Sequence, residues 1–159
     1  MKLLIQRVQS GEVTINGVLH AFIGTGFVVL LGFSVKDMLP GGAADNTAFR
    51  NRILDKLLGL RVFPDNQGKM NVDIQAHGGE ILVVSQFTLY ADCRKGRRPS
   101  FHLAAPPAEA QHAYDRFVRE LAERLPGKVR SGCFGADMQV SLINWGPVTI
   151  MLDSDDFEA

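Results

Sequence analysis

Apolar and polar positions along the 159-residue chain change period several times, and each change predicts an element. The opening alternates: Leu3 and Ile5, then Val8, and after a Gly11-Glu12 turn Val13 and Ile15, ending at Asn16-Gly17. Alternation predicts strands with one buried face, and Asn-Gly between two such runs is a strong hairpin signal. Residues 26–35 are almost continuously apolar, the pattern of a strand buried on both faces. Residues 39–44 (Leu-Pro-Gly-Gly-Ala-Ala) predict a surface loop. Phe49, Ile53, Leu57 and Leu60 then recur at helical spacing among Arg50, Arg52, Asp55 and Lys56. A second helix is predicted over about 108–125, with Tyr114, Phe117, Leu121 and Leu125 on one face. Pro106-Pro107 before it and Pro126-Gly127 after it supply start and stop chemistry. Residues 80–90 and 138–152 are strand-like. The sum predicts an α+β fold: a mostly antiparallel sheet or barrel-like core with two main helices. Residues 1–159 form a single domain in this reading, with about 153–159 as an acidic tail.

Composition narrows the function classes. Apolar residues make up 46% of the chain and charged residues 21%, enough apolar surface to offset chain entropy and exclude disorder. The longest strongly apolar stretch, residues 27–33, is far short of the roughly 20 residues a spanning helix needs. The start, Met1-Lys2-Leu3-Leu4-Ile5-Gln6-Arg7, lacks the long apolar segment of a signal peptide, so a cytoplasmic location is expected. Cys93 and Cys133 are expected as free thiols there. Neither they nor His20, His77, His102 and His112 cluster at metal-ligand spacing, so no metal and no cofactor is expected.

The formal net charge is zero, but the cancellation is segregated. Residues 94–130 carry 9 basic and 4 acidic side chains, and residues 131–159 carry no basic and 5 acidic ones. Arg94, Lys95, Arg97 and Arg98 crowd four cations into five positions between a cysteine and a proline. Such runs are usually solvated surface, and they are also how proteins meet phosphates.

Two further stretches could carry chemistry. Ser85, Gln86, Phe87 and Thr88 follow the apolar run 81–84, where hydroxyls could act as nucleophile or position a carbonyl. No local His or Lys serves as a base, so a catalytic triad is not indicated and any hydrolysis must draw on main-chain donors or the substrate. Gly146-Pro147 interrupts the run 140–152, where proline belongs only at an edge or an irregularity. There it either kinks the strand or presents carbonyls to a ligand.

Taken in order, these segments resemble the D-aminoacyl-tRNA deacylase family. The matching motifs are Gln6-Arg7-Val8, Gly68-Lys69-Met70-Asn71, Val84-Ser85-Gln86-Phe87-Thr88-Leu89 and Arg98-Pro99-Ser100-Phe101. Phe134-Gly135-Ala136-Asp137-Met138, Gln139-Val140-Ser141-Leu142 and Asn144-x-Gly146-Pro147-Val148-Thr149 complete the set. The resemblance implies a homodimer that hydrolyses the ester between a D-amino acid, or glycine, and the 3′-terminal adenosine of tRNA. It implies that residues 85–88 line the pocket. A Gly-cisPro element at Gly146 and Pro147 would reach into the partner subunit's pocket and exclude L-amino acids. Arg7 would brace that element, and Phe134, Ala136 and Met138 would help wall the adenosine site. Main-chain carbonyls make a filter that rejects L side chains while tolerating many D side chains. For catalysis the resemblance leaves two versions: attack by Thr88 Oγ, or attack by water assisted by the ribose 2′-hydroxyl. The missing base favours the second. Ser85 stands where a sister branch, acting on L-alanyl-tRNA, carries proline. Rival readings are a non-catalytic RNA-binding module using the basic loop and an exposed Trp145, and a small-molecule esterase.

Overall fold

The computed structural model describes residues 1–157. Its elements run β1 (Lys2–Ile15), β2 (Val18–Ile23), β3 (Gly26–Gly32), α1 (Thr47–Leu58), β4 (Phe63–Pro64), β5 (Met70–Val72), α2 (Ile74–His77), β6 (Glu80–Ser85), α3 (Pro107–Arg124), β7 (Val129–Ser131) and β8 (Gln139–Asp153). The main sheet is ordered β2-β1-β3-β6-β7, with β8 on the other edge of β1, and β4 pairs with β5 separately. Strand β1 is antiparallel to β2, β3 and β8, whereas β3–β6 and β6–β7 are parallel. The sheet curls until β2 approaches β6 and β7, giving a nearly barrel-shaped core in an α+β fold.

Strands β3 and β6 explain the continuous apolar runs. Phe27, Val29, Leu31, Ile81 and Val83 face a large cluster that includes Leu54 and Leu57 of α1 and Phe117 and Leu121 of α3. Val28, Leu82 and Val84 point the other way, into a smaller cluster with Val8, Val13 and Ile23. Successive side chains alternate across a strand, so burial on both faces demands an apolar residue at every position.

Several expectations are corrected. Gly11-Glu12 is no turn: β1 is unbroken, and Gly11 is needed because a Cβ there would lie 2.6 Å from Val28 Cγ2. The hairpin turn falls at Asn16-Gly17 alone, where both residues take positive φ. Strand β3 stops at Gly32 rather than Val35. The 39–44 segment is not wholly surface, since Ala43 and Ala44 are buried against the main cluster. Leu60 lies beyond the Gly59 cap of α1 and packs from a loop. Residues 80–90 do not form one strand; β6 ends at Ser85 and the chain winds into a 3-10 turn, Phe87–Tyr90. Trp145 is half-buried, with the Arg7 guanidinium 4.5 Å over its ring. The acidic tail is docked as far as Phe157: Asp153 pairs with Lys2, and Ser154 is buried against Asp37 and the Met1 amine. Glu158 and Ala159, also assigned to the tail, lie outside the described residues. No helix of the described residues is long and apolar enough to cross a membrane.

Candidate active site

Parallel strands β3 and β6 end together, Leu31 opposite Ser85. Crevices beyond the carboxyl ends of adjacent parallel strands are favoured ligand sites, because the chain must turn away there and leaves a gap. Such a gap is present: a cavity of about 670 Å³ opens beyond Leu31, Gly32 and Val84. Ser85, Gln86 and Phe87 form one wall, and Phe134, Ala136 and Met138 form another. The first turn of α3 closes it with Pro107 and Ala110.

Gln86 determines how the catalytic candidates are presented. Its amide donates to Leu31 O at 2.8 Å, tying the end of β6 to the end of β3. Its side-chain Nε2 donates to Thr88 Oγ1 at 2.5 Å. Thr88 is exposed on the 3-10 turn and lies outside the cavity lining. The first amides of such a turn have no partner inside it, and those of Phe87 and Thr88 find none elsewhere among the described residues. Gly32 is required by this close approach, since a Cβ on it would sit 2.6 Å from Gln86 O.

The ionisable groups of the wall are few. Tyr114 donates its hydroxyl to Val83 O at 2.8 Å, and burial pushes its pKa upward. Among the described residues, Asp137 is the one carboxylate on the cavity. It lies in a matching motif, but no pattern in the sequence marked its side chain as part of the site. No His, Lys or Arg of the described residues lines the cavity.

Arg7, Gly146 and Pro147 are brought together elsewhere. Gln6 pairs with Thr149 and Val8 with Asn144, so Arg7 alone faces four residues, 145–148, which bulge from β8. Arg7 Nε donates to Trp145 O at 2.8 Å, and its Nη1 donates to Val62 O. Burial lowers the Arg7 pKa. Asn144 Oδ1 accepts from the Val148 amide at 2.9 Å, and its Nδ2 donates to Thr149 Oγ1 at 3.0 Å. The Gly146-Pro147 peptide is cis, and both residues are exposed. Gly146 has φ of 136°, and a Cβ there would lie 2.9 Å from Arg7 Nη2. Neither residue lines the cavity of its own chain.

The basic loop is a small hairpin closed by main-chain bonds between Asp92 and Ser100 at 2.7 and 2.9 Å. Within it Arg94 is committed to Asp92 through a two-pronged pair at 2.8 and 2.7 Å. Lys95, Arg97 and Arg98 are exposed and form no ion pair among the described residues. Cys93 and Cys133 are free and exposed. Among the described residues, no group of three His, Cys, Asp or Glu side chains is arranged to hold a metal.

This arrangement has relatives. The family model described as D-Tyr-tRNA(Tyr) deacylase matches residues 4–153. The chain is 54% identical over 155 residues to a D-aminoacyl-tRNA deacylase of Nitratidesulfovibrio vulgaris, covering 96% of this chain and 93% of that one. It is 52% identical to the D-aminoacyl-tRNA deacylase of Solidesulfovibrio magneticus, covering 98% and 97%. A solved structure of a c-Myc DNA unwinding element binding protein superposes with a TM-score of 0.85 at 40% identity, covering 96% and 98%. A probable eukaryotic D-amino acid tRNA deacylase shares the fold, with a TM-score of 0.79 at 21% identity, covering 95% and 97%. Matched over nearly its whole length by the family model and by relatives above half identity, the chain belongs to the D-aminoacyl-tRNA deacylase family.

Proposed function

We propose that the protein hydrolyses the ester joining a D-amino acid, or glycine, to the 3′-terminal adenosine of tRNA, and so proofreads chirality in translation. One observation carries this reading: in a chain of this family, residues 85–87 line a cavity of about 670 Å³ at the ends of β3 and β6. The terminal adenosine lies against Phe134, Ala136 and Met138, and the ester reaches Phe87 and the adjoining Thr88. The free amides of Phe87 and Thr88 polarise the carbonyl, stabilising the oxygen as it gains charge. Thr88 Oγ1 accepts from the Gln86 side-chain amide, and no base stands beside it to take its proton, which argues against its acting as the nucleophile. Water therefore attacks, assisted by the ribose 2′-hydroxyl. A carbon–oxygen bond forms from water, the bond to the ribosyl oxygen breaks, and the proton lost by the water passes by way of the 2′-hydroxyl to that leaving oxygen.

The L-rejecting filter is the bulge at Gly146 and Pro147, supplied by a second copy of the chain. Its absence from its own cavity supports this, as do the exposed apolar side chains of Leu19 and Phe22 on β2 and Ile143 on β8. An aminoacyl group with no side chain offers the filter nothing to reject, so glycine passes. Lys95, Arg97 and Arg98 with Arg94 attract the tRNA backbone, and the setting is cytoplasmic.

Incubation with D-tyrosyl- and L-tyrosyl-tRNA tests the reading: the D-ester is expected to be lost and the L-ester spared. Thr88→Ala distinguishes the two chemistries, since near-complete loss together with an acyl-enzyme trapped in the wild type would establish covalent attack. Unchanged L-rejection in Pro147→Ala would remove the filter assignment. A second reading, a nucleic-acid-binding protein without turnover, draws on the 40% identical neighbour named for DNA binding. Binding of tRNA with no loss of either ester would favour it.

A further inference from the structure

Beside the basic hairpin lies a second cavity, of about 450 Å³, walled by Asp92, Arg94, Lys95, Ser100 and His102. Three consecutive residues divide between the two cavities: Phe101 lines the first, while Ser100 and His102 line the second. Phe101 also packs edge-on against Phe87, with ring centroids 5.0 Å apart. The two cavities therefore border the same segment, Ser100–His102. A nucleotide strand ending in the first cavity would leave it over Phe101 and meet the second.

The chemistry of the second cavity suits one phosphate. Ser100 Oγ and His102 Nδ1 are hydrogen-bonded at 3.0 Å. A neutral imidazole has one N–H and a serine one O–H, so whichever group donates in this bond, the pair retains one free donor. Arg94 and Lys95 contribute two positive charges against the single carboxylate of Asp92. Arg94 holds Asp92 through a two-pronged geometry, and a phosphate presents the same pair of acceptor oxygens.

We propose that this cavity seats the phosphodiester linking the terminal adenosine to the nucleotide before it. Lys95 supplies charge and the Ser100–His102 pair supplies a directed donor. Arg94 exchanges Asp92 for a phosphate oxygen on binding. This goes beyond diffuse attraction by the loop, and it rests on the reading of the first cavity as the adenosine and ester site.

Two substrates test it: D-tyrosyl-tRNA, which carries the phosphodiester, and D-tyrosyl-adenosine, which lacks it. His102→Ala and Lys95→Ala are expected to raise KM for the tRNA about tenfold with kcat unchanged. Neither should alter kcat/KM on D-tyrosyl-adenosine, which also shows that the variants are folded. His102→Gln, which keeps a side-chain N–H, is expected to recover most of the loss. Asp92→Asn should lower KM for the tRNA, because Arg94 is released. Lys95→Ala should also flatten the dependence of log KM on log salt by about 0.7, the value for one contact to a single strand. Arg119→Ala, on the exposed side of α3, serves as the control and should change neither substrate. Unchanged KM for the tRNA in both His102→Ala and Lys95→Ala, while D-tyrosyl-adenosine is still hydrolysed, would overturn the phosphate site alone. Equal loss of kcat on both substrates would overturn it too, placing His102 in the chemistry. Failure of the wild type on both substrates would remove the ester reading, and the phosphate site with it.

Discussion

The cavity at the ends of β3 and β6 is walled by side chains that continue the core, whereas the exposed Gly146-Pro147 tip of the bulge is steadied by hydrogen bonds from Arg7 and Asn144 to its flanking residues. The cavity wall is apolar packing from several elements, so no single residue fixes its shape. Trp145 and Val148 of the bulge rest on the main cluster, whereas Gly146 and Pro147 at its tip are exposed, and hydrogen bonds from Arg7 and Asn144 to the residues on either side of them hold the tip. Many weak contacts degrade gradually when one is removed. A tip steadied by two polar side chains is more sensitive to the loss of either one. On the proposed reading, substrate accommodation and substrate rejection are then separable properties, built from different forces.

Arg7→Ala is the strongest way to break the comparison. It leaves the carbonyls of Trp145 and Val62 without their donors and should cost about 3–5 kcal/mol by urea denaturation. Its rate ratio between D- and L-tyrosyl-tRNA should collapse more than its D-rate falls. Gly32→Ala approaches from the other side. Its methyl would press on Gln86 O, costing about 1–3 kcal/mol. Initial rates should show slower D-turnover with the D/L ratio retained; a changed ratio would show that the two regions are coupled. Asn144→Ala removes the second anchor and should cost about 1 kcal/mol, with partial loss of discrimination.

The smallest effect belongs to the basic hairpin. The side chain of Arg94, and then its amide, hold Asp92 well below the usual carboxylate range. A depressed native pKa stabilises the fold above the unfolded value and loses that contribution as pH falls through the native one. Asp92 should therefore remain ionised below pH 3.8, as followed by NMR of its carboxyl carbon. Because the pair is exposed, the effect on overall stability should be slight and should vanish in high salt.

How far these regions could be read in the sequence follows from how local their causes are. The Asn16-Gly17 hairpin and the boundaries of α3 are set by neighbouring residues, and turn and proline chemistry predict them. The end of β6 was not legible, because Phe87 and Leu89 prolong the apolar pattern into the 3-10 turn. Gly11 looked like a turn because glycine marks both turns and close approaches, and only the position of Val28 separates the two. The parallel pairing of β3 with β6, which creates the crevice, joins segments about fifty residues apart and leaves no local mark. Gly146-Pro147 did announce an irregularity in β8, but its clamp comes from Arg7 at the opposite end of the chain.

That last pairing has a consequence for how the molecule is made. Lys2 meets Asp153 and Thr14 meets Gln139, so the first strand waits for the last strand to be synthesised. Contacts this distant along the chain repay their loop-closure cost late, and topologies rich in them fold slowly. On the ribosome, β1 carries an unpaired edge until β8 emerges, open to strands of neighbouring nascent chains. Premature termination before residue 139 would leave that edge permanently bare. Truncated products are therefore expected to aggregate rather than persist as partly active fragments.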